Sequence, residues 1–247
     1  MTALAIVQPL TFTASGGMTN PARVALADPK EAAVNGTALA NTLDLDLGSS
    51  QSIDSLLIGY ARNGTGASLT LSTGVSAHGE TSRGSIAPAQ SDLTEPARQY
   101  FFQSAPFNAR YLRIGIPAAI GTTFQIGVAV VGKAFFPTWG TEYGAGRLLL
   151  DTGTVERLFG GGFGIDPGTI VSGYQWTFGD LQNAEREALF NICKRLGSTR
   201  SVLVIEDADL TNGLHNRIHW GLFNKLEAYE RLNPADTKWS FQISDWG

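Results

Sequence analysis

Two histidines have the spacing that best suits a metal site in this chain of 247 residues. His215 and His219 are four residues apart, and a helix would place both imidazoles on one face, as zinc sites use them. However, Asn212-Gly213 breaks any helix just before them. On a strand the two side chains would share a face but lie about 13 Å apart, too far for one ion. The sequence therefore favours a hairpin without a metal or cofactor, and the role of the two histidines stays open.

Two pairs of carboxylates have the residue types that glycoside hydrolysis needs. Asp44 and Asp46 alternate with leucines in Leu43–Leu47, which is the pattern of a strand with a solvent-facing side. Asp207 and Asp209 follow an apolar run and are typical of the polar end of a strand. We therefore expect no enzyme. A hydrolase that uses these carboxylates with one of the two histidines is the least favoured alternative.

A glycine-rich run and a lone cysteine complete the candidates. Gly160–Gly164 looks like a phosphate-binding loop, but Asp166-Pro167-Gly168 follows it in place of a helix, and no Gly-Lys-Ser/Thr ending is present. Cys193 cannot form a disulfide within the chain, and its apolar surroundings on the predicted helix indicate an inert core thiol. We expect a mobile loop at the glycines and no catalytic, cofactor-binding or metal-binding residue.

The composition favours strands, turns and contacts with other chains. Only 16% of the residues are charged, 29 are glycine, and the net charge is −4. An average soluble domain has about 25% charged residues and about 7% glycine. The Lys and Arg residues are dispersed, which argues against nucleic acid. No apolar run reaches the roughly 20 residues of a membrane helix, and Met1–Leu10 lacks the basic region and cleavage site of a signal peptide.

Charge and pattern divide the chain near residue 135. Residues 1–135 carry 8 basic and 8 acidic side chains, whereas residues 136–247 carry 10 and 14 and so account for the whole net charge. The predicted fold is mainly β. It consists of a jelly-roll β-sandwich over residues 1–133, a linker over 134–146, and a β-sandwich or α+β domain with one packed helix over 147–247.

Periodicity places the elements of both halves. In the first half, short strands and Asn-Gly turns indicate a sandwich, with strands predicted at Ser68–Ser72, Leu112–Ile116 and Ile126–Gly132. In the second half, apolar residues at spacings of three and four predict a helix over Leu181–Leu196, with Asp180 as its N-cap. Strands are predicted around this helix at Gly173–Phe178, Ser201–Ile205, Arg217–Phe223 and Lys238–Ser244.

Four segments of the first half resemble the discoidin family, also called factor 5/8 type C or galactose-binding-like. They are Leu43–Gly48, Ile53–Ile58, the Ala109–Ile114 segment with its A-R-Y-L-R-I pattern, and Ile126–Gly132. The resemblance covers about residues 1–133 and implies a jelly-roll sandwich. It also implies glycan or lipid binding through loops at one end, for which the candidates here are Asn20–Lys30 and Ser76–Ser85.

The second half resembles tail-tip and baseplate proteins of tailed bacteriophages, especially the distal tail family. The segments that carry this resemblance are Tyr174–Phe178, Asp180–Leu189, Val202–Asp207, His215–Phe223 and Trp239–Ile243. In that family a β-sandwich with one helix forms a belt ring around the tail axis. The resemblance implies a homo-oligomeric ring, a hexamer or trimer, that contacts tail-tube and tail-hub proteins.

The main hypothesis is therefore a structural subunit of a phage tail tip, made in the bacterial cytoplasm and located in the virion. Its second half would form the ring, its first half would project a carbohydrate-binding domain, and Ala134–Ala145 and Gly160–Gly168 would be arms that become ordered on contact. The alternative is a carbohydrate-binding, host-adhesion module without a role in a ring, whose partner is a glycan of the host cell surface.

Overall fold

A computed structural model describes residues 4–89, 97–207, 213–224, 226–233 and 236–246. Within these ranges the chain is mainly β with one α-helix, which confirms the predicted fold class. The candidate Asp209 lies outside the described residues. No helix in the described ranges is long and apolar enough to cross a membrane.

The described residues of the first half contain nine strands that form a β-sandwich. They are β1 (Ala5–Pro9), β2 (Thr13–Gly16), β3 (Ala33–Val34), β4 (Asn41–Arg62), β5 (Leu69–Gly74), β6 (Thr81–Ile86), β7 (Ala97–Ile116), β8 (Gln125–Ile126) and β9 (Val128–Phe135). Strands β4 and β7 are long antiparallel partners with register shifts. The start of β4 and the end of β7 are flanked by β2 and β5, while the later part of β4 pairs with β9. The alternating leucines, isoleucines and valines of these strands form a buried core between the two layers.

The second half combines a sheet with the single described helix. Its elements are β10 (Gly146–Asp151), β11 (Thr154–Arg157), β12 (Phe163–Asp166), β13 (Ile170–Leu181), α1 (Asn183–Leu196), β14 (Val202–Ile205), β15 (Ile218–Phe223), β16 (Glu230–Arg231) and β17 (Thr237–Asp245). Helix α1 packs Leu189, Cys193 and Leu196 against the aromatic side chains of the sheet. All four strands predicted in this half are confirmed, with ends that differ by a few residues.

The predicted helix is confirmed, but its predicted N-cap is wrong. Strand β13 continues through Asp180 to Leu181, because Leu181 pairs with Thr237 and is buried. The N-cap is Gln182, whose backbone N–H donates to the Glu185 carboxylate over 3.0 Å. This contact belongs to a capping box, which ties the first turn to the residue before it.

One hydrogen-bonded sheet continues through both halves. Its strand order is β10-β13-β17-β15-β14-β1-β9-β4-β7-β5-β6. Strand β1 lies between the halves, because it pairs with β9 on one side and with β14 on the other. An apolar cluster that contains Val7, Leu57, Val130, Leu203 and Trp220 is buried along this junction. The division into domains at residues 133 and 147 stays a prediction, and the structure adds that residues 5–9 contact both parts.

The glycine-rich run forms the tip of a hairpin. Strands β11 and β12 pair with each other in a separate two-stranded sheet, and the Leu158 N–H donates to the Gly162 carbonyl at 2.8 Å to close the turn. Gly164 is therefore in a strand, where a loop was predicted. No helix follows, so the run does not have the geometry of a phosphate-binding loop. We call residues 152–169, which join β10 to β13, the arm.

Candidate functional site

Five neighbouring strands bring together five polar side chains, which we call the charge chain; it is buried at His219 and exposed at Arg147 and Ser172. Its members are Arg147 on β10, Glu206 just after β14, His219 on β15, Asp245 on β17 and Ser172 on β13. Arg147 donates two hydrogen bonds to Glu206, at 2.6 and 3.2 Å. His219 contacts Glu206 through Nε2 at 2.8 Å and Asp245 through Nδ1 at 3.0 Å. Ser172 completes the chain with a short contact to Asp245.

The position of His219 determines its protonation. Burial lowers its pKa, but the hydrogen bonds to Asp245 and Glu206 outweigh burial and raise the pKa to about 9. Burial raises the pKa of Glu206, but the hydrogen bonds from His219 and Arg147 outweigh burial and hold this pKa below its usual range. The ring of Tyr174 stacks on His219 with centroids 5.2 Å apart. His219 is therefore an imidazolium at neutral pH, with both nitrogens donating to carboxylates and neither free to act as a base or metal ligand.

The other sequence candidates occupy separate places. Asp44 and Asp46 accept bidentate hydrogen bonds from Arg113 and Arg110, with distances of 2.7–3.0 Å. Asp207 forms an ion pair with Arg217 at 3.1 Å. The carboxylates of Asp44, Asp46 and Asp207 are thus neutralised by guanidinium groups. In the described ranges, no group of three or more His, Cys, Asp or Glu side chains has an arrangement that could hold a metal ion. The expected absence of a metal and of enzymatic activity stays a prediction.

Cys193 is buried on the inner face of α1. Burial raises the pKa of its thiol to about 12, so the reactive thiolate is not populated at neutral pH. This agrees with the expected role as an apolar core residue.

A cleft of about 490 Å³ lies between the two halves, and we call it the junction cleft. Its size is within the range of small-molecule sites, which occur preferentially between domains. It has polar and aromatic residues from both halves in its wall, namely Lys30, Tyr60, Arg62, Gln99, Arg147, Ser172, His215, Asn216, Asp245 and Trp246. The charge chain thus reaches the cleft through Arg147, Ser172 and Asp245. Within the described ranges, Oδ1 of Asp245 has no hydrogen-bond partner, although the side chain is only 9% exposed.

Tyr60 is held in an unusual conformation at the cleft. Its φ of 53° is in the left-handed region, which costs a residue with a side chain on the order of 1–2 kcal/mol. The Tyr60 N–H donates to Oε1 of the buried Gln99 at 2.7 Å, and the Tyr60 hydroxyl donates to the carbonyl of Trp246 at 3.0 Å. Burial raises the pKa of this hydroxyl, so it stays a donor. Strain of this kind occurs at binding sites more often than elsewhere.

One of the two predicted ligand loops contributes to the cleft. Pro29 and Lys30, at the end of the Asn20–Lys30 loop, are in its wall, and the Trp220 indole donates to the Ala27 carbonyl at 2.9 Å to hold this loop on the second half. The Ser76–Ser85 loop is not in the wall of the cleft, and it is closed on itself by three backbone N–H groups that donate to Glu80. Sequence reasoning missed Tyr60, Arg62 and Gln99, because each belongs to a strand whose local pattern carries no signal for a ligand.

A second surface of interest is the arm with the strand ends that support it. Its large apolar side chains are each more than half exposed; they are Leu149, Val155, Leu158, Phe159, Phe163, Ile165 and Ile170. The supporting strand β10 is also at one end of the long sheet, so its outer edge has no partner strand in the described structure. Exposed apolar side chains next to an open sheet edge are typical of a contact with another protein.

No protein-family model matches the chain, and no curated protein matches it. Among solved structures, the chain is similar to a family 32 carbohydrate-binding module of a family 31 glycoside hydrolase from Clostridium perfringens, at 15% identity and a TM-score of 0.39, over 51% of this chain and 96% of that one. A second is the family 32 module of C. perfringens NanJ in complex with galactose, at 14% identity and a TM-score of 0.42, over 52% and 98%.

A third similar structure is the lectin-binding domain of lectinolysin in complex with Lewis b, at 12% identity and a TM-score of 0.38, over 49% of this chain and 92% of that one. None of these three is a tail protein, so the tail-tip resemblance of the second half stays a prediction. Because all three TM-scores are below 0.5, the function proposed for this chain depends on its own residues. The structures to which the chain is similar are discoidin-like, galactose-binding-like sandwiches, and the chain itself is a mainly β protein.

Proposed function

We propose that this chain is a saccharide-binding module and that the junction cleft is its binding site. The observation that carries the proposal is the set of side chains in the wall of the cleft. Saccharides present hydroxyl groups and apolar C–H faces, which suit a cleft with guanidinium, amide, hydroxyl and aromatic groups. The unpaired Oδ1 of Asp245 is an acceptor that a ligand hydroxyl would satisfy.

The rigidity of the cleft also supports the proposal. Its two walls come from different halves, which are joined by β1 and by the apolar junction cluster. Tyr60 is fixed by its bonds to Gln99 and Trp246 before any ligand arrives. A site that is ordered in advance loses less entropy when a ligand binds.

A glycan array with a variant that fills the cleft tests this function. Asn216 is exposed in the wall, so Asn216→Trp should fill the cleft and abolish binding of the glycans that the unchanged chain captures. Asn108→Trp, at an exposed position outside the cleft, is the matched control and should bind as the unchanged chain does. A chain that captures no glycan contradicts the proposed function. Equal binding by the Asn216→Trp variant contradicts the proposed site.

The second candidate function is that of an assembly subunit, as expected for a phage tail tip, and the exposed apolar arm favours it. Val155 and Ile165 face each other across the hairpin and are 66% and 69% exposed. Phe159 at the tip is fully exposed. Surface of this kind is stable in water when a partner covers it. The ring, its tail-tube and tail-hub partners and the location in the virion belong to this proposal.

The oligomeric state of the purified chain tests the second candidate. Mass photometry at rising concentration should show species larger than one chain, and negative-stain microscopy should show closed rings. The double variant Phe159→Ser, Phe163→Ser should reduce them to single chains. Leu39→Ser, Val75→Ser removes two exposed apolar side chains outside the arm and should change nothing. A chain that is monomeric at its highest soluble concentration contradicts self-assembly.

A further inference from the structure

We infer that the junction cleft selects an acidic saccharide, one that carries a carboxylate. This inference rests on the saccharide-binding function proposed above and specifies its ligand class. The juxtaposition that carries it is a pair of exposed, unpaired cations in the wall of the cleft, Lys30 and Arg62, beside the charge chain. We call the two cations the rim and the charge chain the inner wall, whose charges cancel.

The inner wall is electrically neutral. Arg147 is bound to both oxygens of Glu206. The His219 imidazolium lies between Glu206 and Asp245. Two positive and two negative groups therefore compensate each other within one hydrogen-bonded chain.

The rim carries an excess of positive charge. Lys30 and Arg62 are both exposed and border the cleft. Neither side chain has an ion-pair partner in the part of the chain that the structure describes. The neighbouring Asp28 accepts a hydrogen bond from the backbone N–H of Lys30 at 2.9 Å and does not border the cleft. Even with Asp28 counted, at least one positive charge stays uncompensated.

This charge distribution favours a carboxylate over a neutral hydroxyl group. A guanidinium offers a fork of N–H donors that matches both oxygens of a carboxylate, and an ammonium group adds a point charge. A neutral saccharide would displace water from both cations without compensating them, which costs affinity. The inner wall does not repel an acidic ligand, because its two carboxylates are already neutralised.

Calorimetric titration of the whole chain with matched saccharides tests the inference. The probes are a trimer of galacturonic acid and the galactose trimer of the same linkage, with 3′-sialyllactose and lactose as a second pair. The acidic member of a pair should bind at least about tenfold more tightly than the neutral one, since one charge-assisted bond is worth that much. The difference should shrink in high salt.

Variants identify the cations. Arg62→Gln and Lys30→Gln should each weaken acidic binding about tenfold, and should weaken any neutral binding by a smaller factor, because only the acidic ligand loses a charge-assisted bond. Arg157→Gln, which removes an exposed cation of the arm, is the control and should behave as the unchanged chain. Circular dichroism melting checks that each variant is folded. Neutral probes that bind as tightly as acidic ones overturn the inference and leave the proposed function standing. Binding of neither kind overturns both, and full affinity in both variants overturns the assignment of the cations.

Discussion

At the scale of the residue, the spacing of two histidines in the sequence did not determine which side chains His219 contacts. The i, i+4 relation to His215 suggested a shared ligand, but His215 is in a 3₁₀ turn before β15 and His219 is on the strand itself. The partners of His219 are Glu206 and Asp245, which are 13 and 26 residues away in the chain. The imidazolium therefore has a structural role in linking three strands.

The raised pKa of His219 predicts a loss of stability at alkaline pH. Its folded pKa of about 9 is above the ordinary value of 6.5, so folding favours the protonated ring. This stabilisation is complete below pH 6.5 and is lost as the pH rises through about 9, and its scale is about 3 kcal/mol. Urea unfolding should show that the unchanged chain loses this free energy between pH 6 and about pH 10, whereas His219→Gln does not.

An NMR titration of the ring provides an independent check. The His219 signals should shift with a midpoint near 9, in contrast to the ordinary midpoint of 6.5. A midpoint at or below 6.5 would contradict the charge chain as described.

At the scale of the element, helix α1 depends on one carboxylate at its start. Glu185 accepts hydrogen bonds from the backbone N–H groups of Gln182 at 3.0 Å and Thr138 at 2.6 Å. The first contact caps the helix, and the second fixes the connection between β9 and β10 against it. The local sequence predicted the helix correctly but not its cap, because the sheet extends β13 three residues beyond the predicted end at Phe178.

Replacing this carboxylate should destabilise the protein more than replacing its neighbour. We expect Glu185→Ala to lower the free energy of unfolding by about 1–2 kcal/mol, since it removes a cap and a bond to the connection. Glu187→Ala removes only the ion pair of this exposed carboxylate with the adjacent Arg186 and should cost less than about 0.5 kcal/mol. Urea denaturation measures both. Equal losses would contradict the capping role.

At the scale of the whole molecule, the short strand β1 joins the two halves into one sheet. Val7 is fully buried, with Ala134 of β9 on one side and Leu203 of β14 on the other. The junction cluster around it is apolar, and a large apolar interface opposes independent motion of the two parts. The geometry of the junction cleft depends on this connection.

We therefore predict a single cooperative unfolding transition that Val7→Ala shifts as a whole. Removal of two buried methyl groups should cost about 2–3 kcal/mol. Val75→Ala, at an exposed position, should change stability by less than about 0.5 kcal/mol. Differential scanning calorimetry distinguishes the outcomes. Two transitions, of which the substitution moves only one, would show that the halves unfold separately.

Much of the fold was predictable because it depends on local periodicity. Alternation identified the strands around Leu71, Ile114 and Phe241, and three- and four-residue spacing identified α1. The candidate site was far less predictable. Tyr60 and Gln99 come from separate strands, and only their pairing places the Gln99 amide against the Tyr60 backbone. The Asn20–Lys30 loop was identified as a ligand loop, but its contact with the second half was not.

The sequence by itself determined the mainly β class, the helix, the low charge and the absence of a known catalytic motif, because each follows from residue types and their local order. The tertiary structure alone decided which distant residues meet. It placed β1 between the halves, paired His219 with two remote carboxylates, and left Lys30 and Arg62 unpaired at one cleft. The physical reason is that ion pairs, cavities and strand neighbours depend on separations in space, which a strand pattern with a period of two residues does not encode.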